Sequence, residues 1–411
     1  MEELASSDFC NCLRLHCRFG ALICSAAVYA IYLFSVLRDA MMGEGEPRKS
    51  GLPPEADPWA RSNAIYLTGR QWIGVGLFAA VMMSLAPTLW KQVEKFEIEP
   101  DYRIPYELSN DYWLYDRYCR LAAGDTLLLG DSVIWGQYVT RQQTLSHCLD
   151  ALAGHERFGN LGLNGAHPAA LAGLIDFYGG GIQNKHVLLF WNPLWLSSPK
   201  LDLREREEFR FNHPRLVSQF MPRIRCYTEH FSPRIGIVVE QRLPFESWTA
   251  HLQQSYYRDK EGRPIDIPEW TLLHPYENPL KPLSQALPPS DYKLHDKPTP
   301  WTARMKKQDY AWVDLQTSLQ WHSFQRAVQI LKRRGNRVSV LLGPFNEHLL
   351  SAQNAAVFHQ LRSAVESWLD QESVAHLAPA PLPSELYADA DHPLDRGYVL
   401  LAEQVYRWLS R

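Results

Sequence analysis

Two short stretches near opposite ends of the chain carry residues able to do acyl-transfer chemistry together. Gly130-Asp131-Ser132 directly follows the apolar run Thr126 to Leu129. A serine at a strand-to-helix turn presents its hydroxyl at a sheet edge, where a base can take its proton and backbone N–H groups can face a developing oxyanion. Asp389-Ala390-Asp391-His392 stands just before the last helical stretch. A carboxylate three residues before a histidine can accept from Nδ1–H, which fixes the tautomer and leaves Nε2 for the serine proton. Asp391 adjoins His392 and reads as the poorer orienter, so Asp389 is the expected third member. Each stretch alone also fits an ordinary helix start, because Asp and Ser are favoured N-caps.

Further polar groups stand where apolar runs end. In Asn160-Leu161-Gly162-Leu163-Asn164-Gly165, the bare Gly165 would let a backbone N–H approach a substrate oxygen. In Phe190-Trp191-Asn192-Pro193, the Asn192 amide could donate to the same oxygen. Both have plainer readings, Gly165 as a turn and Asn192 as a strand-end cap before proline. Gly343-Pro344-Phe345-Asn346-Glu347-His348 follows another apolar run. Asn346, Glu347 or His348 could contact substrate, but a strand-end turn followed by a helix cap is the favoured reading.

These groups must be positioned by a sheet. Thr126 to Leu129, Phe158 to Leu163, His186 to Phe190 and Arg337 to Leu342 are short, apolar and end at Gly, Asn or Pro, the pattern of buried parallel strands. Helical stretches lie between and after them, at Gln142 to Leu152, Pro168 to Tyr178, Val313 to Arg334 and Leu394 to Ser410. Strands alternating with helices predict an α/β sheet covered on both faces, with ligands at the strands' C-terminal ends. Residues 197–310, rich in Pro, Arg, Tyr and Trp, break the rhythm and read as an insertion over that edge, either a surface excursion or a substrate-binding cap.

Ahead of this domain lie two uncharged apolar runs, Phe19 to Leu37 and Trp72 to Trp90. Each is long enough to cross most of a hydrocarbon layer of about 30 Å as a helix rising about 1.5 Å per residue. The reading is a two-span anchor over residues 1–95 and a catalytic domain over 96–411. Arg38, Arg48, Lys49, Arg61 and Arg70 between the runs favour a cytoplasmic loop and an extracytoplasmic domain. The formal net charge of −3 argues against a nucleic-acid partner, which would require a basic face. Four of the seven cysteines, Cys10, Cys12, Cys17 and Cys24, fall in the first 24 residues, without the paired spacing of a zinc site. They read as free or acylated thiols beside a membrane, and no metal or organic cofactor is expected.

The order Gly-Asp-Ser, Asn-x-Gly-x-x-Gly, Asn, Asp-x-x-His resembles the four sequence blocks of the SGNH (GDSL-like) hydrolase superfamily. The resemblance covers roughly residues 120–200 and 335–410. It implies a flavodoxin-like three-layer α/β/α fold with a central parallel sheet, here preceded by two transmembrane helices. It implies a triad of Ser132, His392 and Asp389, and an oxyanion hole from the Ser132 and Gly165 amides with the Asn192 side chain. The third block departs, reading Phe190-Trp191-Asn192-Pro193 where the family has Gly-x-Asn-Asp, and the first has Val133 in place of Leu. The anchor is similar in architecture to bacterial envelope members that modify teichoic acids or exopolysaccharides. The expected activity is a serine esterase on O-acyl, chiefly O-acetyl, esters of envelope glycans. The alternatives are an O-acyltransferase working with a multispanning membrane acyltransferase partner, and a non-catalytic glycan-binding or scaffold protein.

Overall fold

The computed structural model describes residues 69–411 apart from 97, 99–101, 123, 260–262, 281–283 and 286–305. The expected first span, residues 19–37, and the four N-terminal cysteines lie outside the described residues. The second expected span is a helix, α1 (Gly69–Val93), long and apolar enough to cross a membrane. The chain divides into two compact units. One includes α1 and a short helix, α8 (Ile267–Leu273), whose segment is part of the stretch read as an insertion. The other, Phe96–Pro264 with Gln285–Arg411, holds the sheet and the candidate site.

In chain order the second unit runs α2 (Tyr112–Leu121), β1 (Thr126–Leu129), α3 (Ser132–Trp135), α4 (Leu145–Ala153), β2 (Phe158–Asn160), α5 (Pro168–Phe177) and β3 (His186–Trp191). Two helices of the insertion follow, α6 (Phe231–Arg242) and α7 (Pro244–Ser255). The chain then resumes with α9 (Leu319–Arg333), β4 (Arg337–Leu342), α10 (Ala352–Gln371), β5 (Ala375–Leu377) and α11 (Asp395–Leu409). The five strands are parallel in the order β2-β1-β3-β4-β5.

Alternation along each strand divides the core. Leu127, Leu129, Val187, Leu189, Trp191, Val338, Val340 and Leu342 face a cluster with α2, α5, α9 and α10. Leu128, Leu188, Phe190 and Leu341 point the opposite way, toward α3, α4 and α11. Strands buried on both faces explain their unbroken apolar runs. α9 begins six residues later than the apolar pattern suggests, because Asp202 from the insertion accepts from Ser318 Oγ (2.5 Å) and from the Gln320 N–H (3.0 Å) and fixes the start there. α2, α10 and β5 were not among the expected elements. α2 is buried on nearly all sides, Arg117 included, so it shows no clean polar face. α10 spreads its buried side chains among many polar residues and alanines, and β5 is only three residues long.

Candidate active site

Ser132 opens α3 immediately after β1. Asp131 caps that turn through Oδ1, which accepts from the Val133 N–H (3.0 Å). Gly130 must be glycine, since a Cβ there would stand 2.5 Å from Ile134 Cγ1 and 2.7 Å from Phe190 Cβ. The short helix is held by Tyr398 Oη, donating to the Val133 carbonyl (2.7 Å), and by Asn160 Nδ2, donating to that of Ile134 (2.9 Å).

His392 arrives from the loop before α11. The Ala388 N–H donates to the His392 carbonyl (2.9 Å), and Tyr387 bridges to Pro393, so residues 388–392 fold back as a tight turn. His392 Nε2 lies 2.8 Å from Ser132 Oγ, and Nδ1 lies 2.9 Å from either oxygen of Asp389. Ser132, Asp389 and His392, expected to act together, are therefore adjacent in space. Asp391, the poorer orienter expected from its adjacency, nevertheless approaches the ring. The turn carries its carboxylate round to 3.1 Å from Nδ1, and it is buried, whereas the Asp389 side chain is 40% exposed. Asp389, Asp391 and His392 offer ligand atoms within 4.8 Å of one another, and two carboxylates gathered around one imidazole N–H account for that cluster.

Asn192 stands at the end of β3 beside this group, with its amide committed. Nδ2 donates to Asp131 Oδ2 (2.7 Å) and to Asp391 Oδ2 (2.5 Å), and Oδ1 accepts from the Leu194 N–H (3.0 Å). An oxyanion would have to compete with two carboxylates for those hydrogens, so Asn192 is a bridge here and not the open donor expected from the sequence. Trp195 Nε1 donates to Asp131 Oδ2 as well (2.9 Å). Its spacing, three residues beyond Asn192 in a 3₁₀ turn, is the one signal that could have found it.

Gly165 lies at the same sheet edge. The Leu161 N–H donates to the Leu128 carbonyl (2.8 Å) and that of Leu163 to Gly130 (3.0 Å), so the 161–165 loop runs beside the serine turn. Gly165 has φ +74, a left-handed conformation that favours glycine. Gly162 allows the close approach, since a Cβ there would meet the Trp135 nitrogen at 2.3 Å. Among the described residues, the backbone N–H groups of Ser132 and Gly165 have no protein acceptor.

The insertion is fastened onto this loop. His213 Nε2 donates to the Asn164 carbonyl (2.8 Å), leaving Nδ1 to accept from Tyr112 Oη (3.2 Å). His167 Nδ1 accepts from the Ala170 N–H (3.3 Å), so Nε2 carries the proton and donates to the Asn212 carbonyl (3.1 Å). Burial, then the charge of nearby His213, pushes the His167 pKa down to about 4, and burial also lowers that of His213.

The charges around His392 set its basicity. Burial alone would lower its pKa, but Asp391 and Asp389 outweigh burial and raise it well above the ordinary histidine value. Burial would raise the Asp389 carboxyl, but hydrogen bonding and charge from His392 outweigh this and hold it at about 2. Asp131 moves the other way, up to about 6, through burial first and the Asp391 charge second. Tyr138, in the left-handed region at φ 67, sets its ring edge-on to the imidazole at 5.4 Å.

The stretch after β4 faces inward. Asn346 is fully buried; its N–H donates to the Ala390 carbonyl (2.8 Å) and Nδ2 to that of Asp389 (3.2 Å). It shapes the histidine loop, and its buried side chain is not open to a substrate. Glu347 pairs with Arg362 (2.9 Å), and His348 Nε2 lies 3.0 Å from the Leu382 carbonyl, so these too are structural contacts. Compared with models of known protein families and with curated proteins, the chain matches none of them.

Proposed function

We propose that the protein is a membrane-anchored serine esterase of the SGNH type, with a flavodoxin-like α/β/α domain outside the cytoplasm. Its substrates are O-acyl, chiefly O-acetyl, esters of envelope glycans. The observation that carries this reading is the 2.8 Å approach of His392 Nε2 to Ser132 Oγ, with Nδ1 held by Asp389 at 2.9 Å. That is the nucleophile–base–orienter arrangement needed to activate a serine. The parallel sheet, with the site at the C-terminal ends of β1 and β3, supports it, as does the four-block resemblance.

In the proposed reaction His392 Nε2 takes the Ser132 proton as Oγ attacks the ester carbonyl carbon. The tetrahedral oxyanion faces the Ser132 and Gly165 amides. Its collapse breaks the bond to the alcohol oxygen, which leaves with the proton from His392 and yields acyl-Ser132. A water, deprotonated by His392, then attacks the acyl carbon, releases the carboxylic acid and returns the serine. A second reading, transfer to a glycan hydroxyl, is favoured by burial. Ser132 keeps 7% of its surface and His392 8%, so both groups are shielded from bulk solvent. In that case a multispanning acyltransferase would be the acyl donor.

The test uses the full chain in detergent with a fluorophosphonate probe, beside Ser132→Ala and His392→Ala. Wild type is expected to label and both variants to lose labelling. Folded wild type that stays unlabelled, or Ser132→Ala that still labels, overturns the reading. Acetate released from an O-acetylated polysaccharide separates hydrolysis from transfer to an added glycan acceptor.

A further inference from the structure

With the Asn192 amide engaged by Asp131 and Asp391, the site lacks an open side-chain donor at the end of β3. Another asparagine amide stands against the Gly165 loop. A Cβ built on Gly165 would lie 2.4 Å from Asn212 Nδ2 and 3.1 Å from its Cγ, so this amide rests on the bare face of Gly165. The Asn212 backbone is pinned, its carbonyl accepting from His167 and its neighbour His213 donating to Asn164. Its side chain is exposed and makes no hydrogen bond among the described residues. An exposed amide on a pinned backbone, beside a left-handed glycine whose N–H is free among the described residues, is placed to act as a second donor there.

We propose that Asn212, brought in by the insertion, donates its side-chain N–H to the carbonyl oxygen of the bound ester, replacing Asn192 in the oxyanion hole. This rests on the serine-esterase reading above. It gives the insertion a part in the chemistry and assigns Asn192 to holding two carboxylates in place.

The experiment measures p-nitrophenyl acetate hydrolysis and fluorophosphonate labelling for the full chain in detergent, for wild type, Asn212→Ala and Asn212→Asp. Loss of one oxyanion donor is expected to lower kcat about tenfold or more in Asn212→Ala, with KM and Tm near wild type. Asn212→Asp has nearly the same shape but sets a carboxylate against the developing charge, so it should lose more than Ala. Both variants within about twofold of an active wild type overturn the proposal and leave the esterase reading standing, since a lost donor costs far more than that. A loss with Ala that Asp restores marks a packing role and also overturns it. Wild type that neither labels nor hydrolyses overturns the esterase reading, and the proposal with it.

Discussion

At the scale of single residues, the distinctive group is His392 between two carboxylates. Asp389 has regular hydrogen-bond geometry to Nδ1, while Asp391 lies slightly farther off and is the more deeply buried. Because the two together raise the His392 pKa, the free protein holds a protonated imidazole until pH exceeds that raised value, and an imidazolium cannot act as the base of the proposed reaction. Activity should therefore rise with pH to an acid limb displaced upward from that of an ordinary histidine. Asp391→Asn keeps the shape and can still accept from Asn192, but removes one charge. Its kcat/KM profile is expected to shift toward lower pH, with modest change in the plateau. An acid limb that stayed in place would show that Asp391 has no influence on the base. The sequence pointed to Ser132, Asp389 and His392 because type and spacing carry their chemistry. It could not reveal the reach of Asp391, since that depends on the turn closed between Ala388 and His392.

At the scale of elements, the serine helix is shaped from outside the sheet. Arg103, fully buried, donates from Nη1 to the carbonyls of Trp135 (2.8 Å) and Gly136 (2.6 Å), and from Nη2 to that of Val139 (2.8 Å). Its guanidinium also lies 4.2 Å from the centre of the Trp135 ring, and Trp135 Nε1 donates to the Ile104 carbonyl (2.6 Å). The loop so gripped carries Tyr138 in its left-handed conformation beside His392. Arg103→Ala would leave three carbonyls without this donor and open a void. The expected loss is about 3–5 kcal/mol, read as a lower urea midpoint, together with slower turnover. An unchanged midpoint would show that the loop holds its shape alone. The central strands were legible because parallel strands buried on both faces must be apolar throughout. α6 and α7 were not legible. Both start without a side-chain cap, and α6 buries no residue, so neither pattern nor caps announce them. Asn212 carried no signal either, because the reach of an insertion is set by its docking and not by its spacing from the motifs.

For the molecule as a whole, the fastening of the insertion depends on neutral histidines. His167 and His213 both have depressed folded-state pKa values, so they stay neutral in the fold after their unfolded counterparts begin to protonate. The unfolded chain then binds more protons, and stability falls with pH. The loss should begin near the unfolded histidine value of about 6.5 and, for His167, level off near the folded value of about 4. Urea midpoints from pH 8 to pH 4 test this. His167→Gln keeps a polar side chain but does not titrate, and should flatten part of the slope. An identical slope in that variant would place the acid sensitivity elsewhere.

The carboxylates of Asp131, Asp389 and Asp391 have a further consequence at this scale. With one imidazole among three acidic groups, the cleft repels anions above the Asp131 value of about 6 even when His392 is charged. On the proposed esterase activity a neutral ester would enter without that opposition, whereas the carboxylate formed from it would be repelled, which weakens rebinding of product.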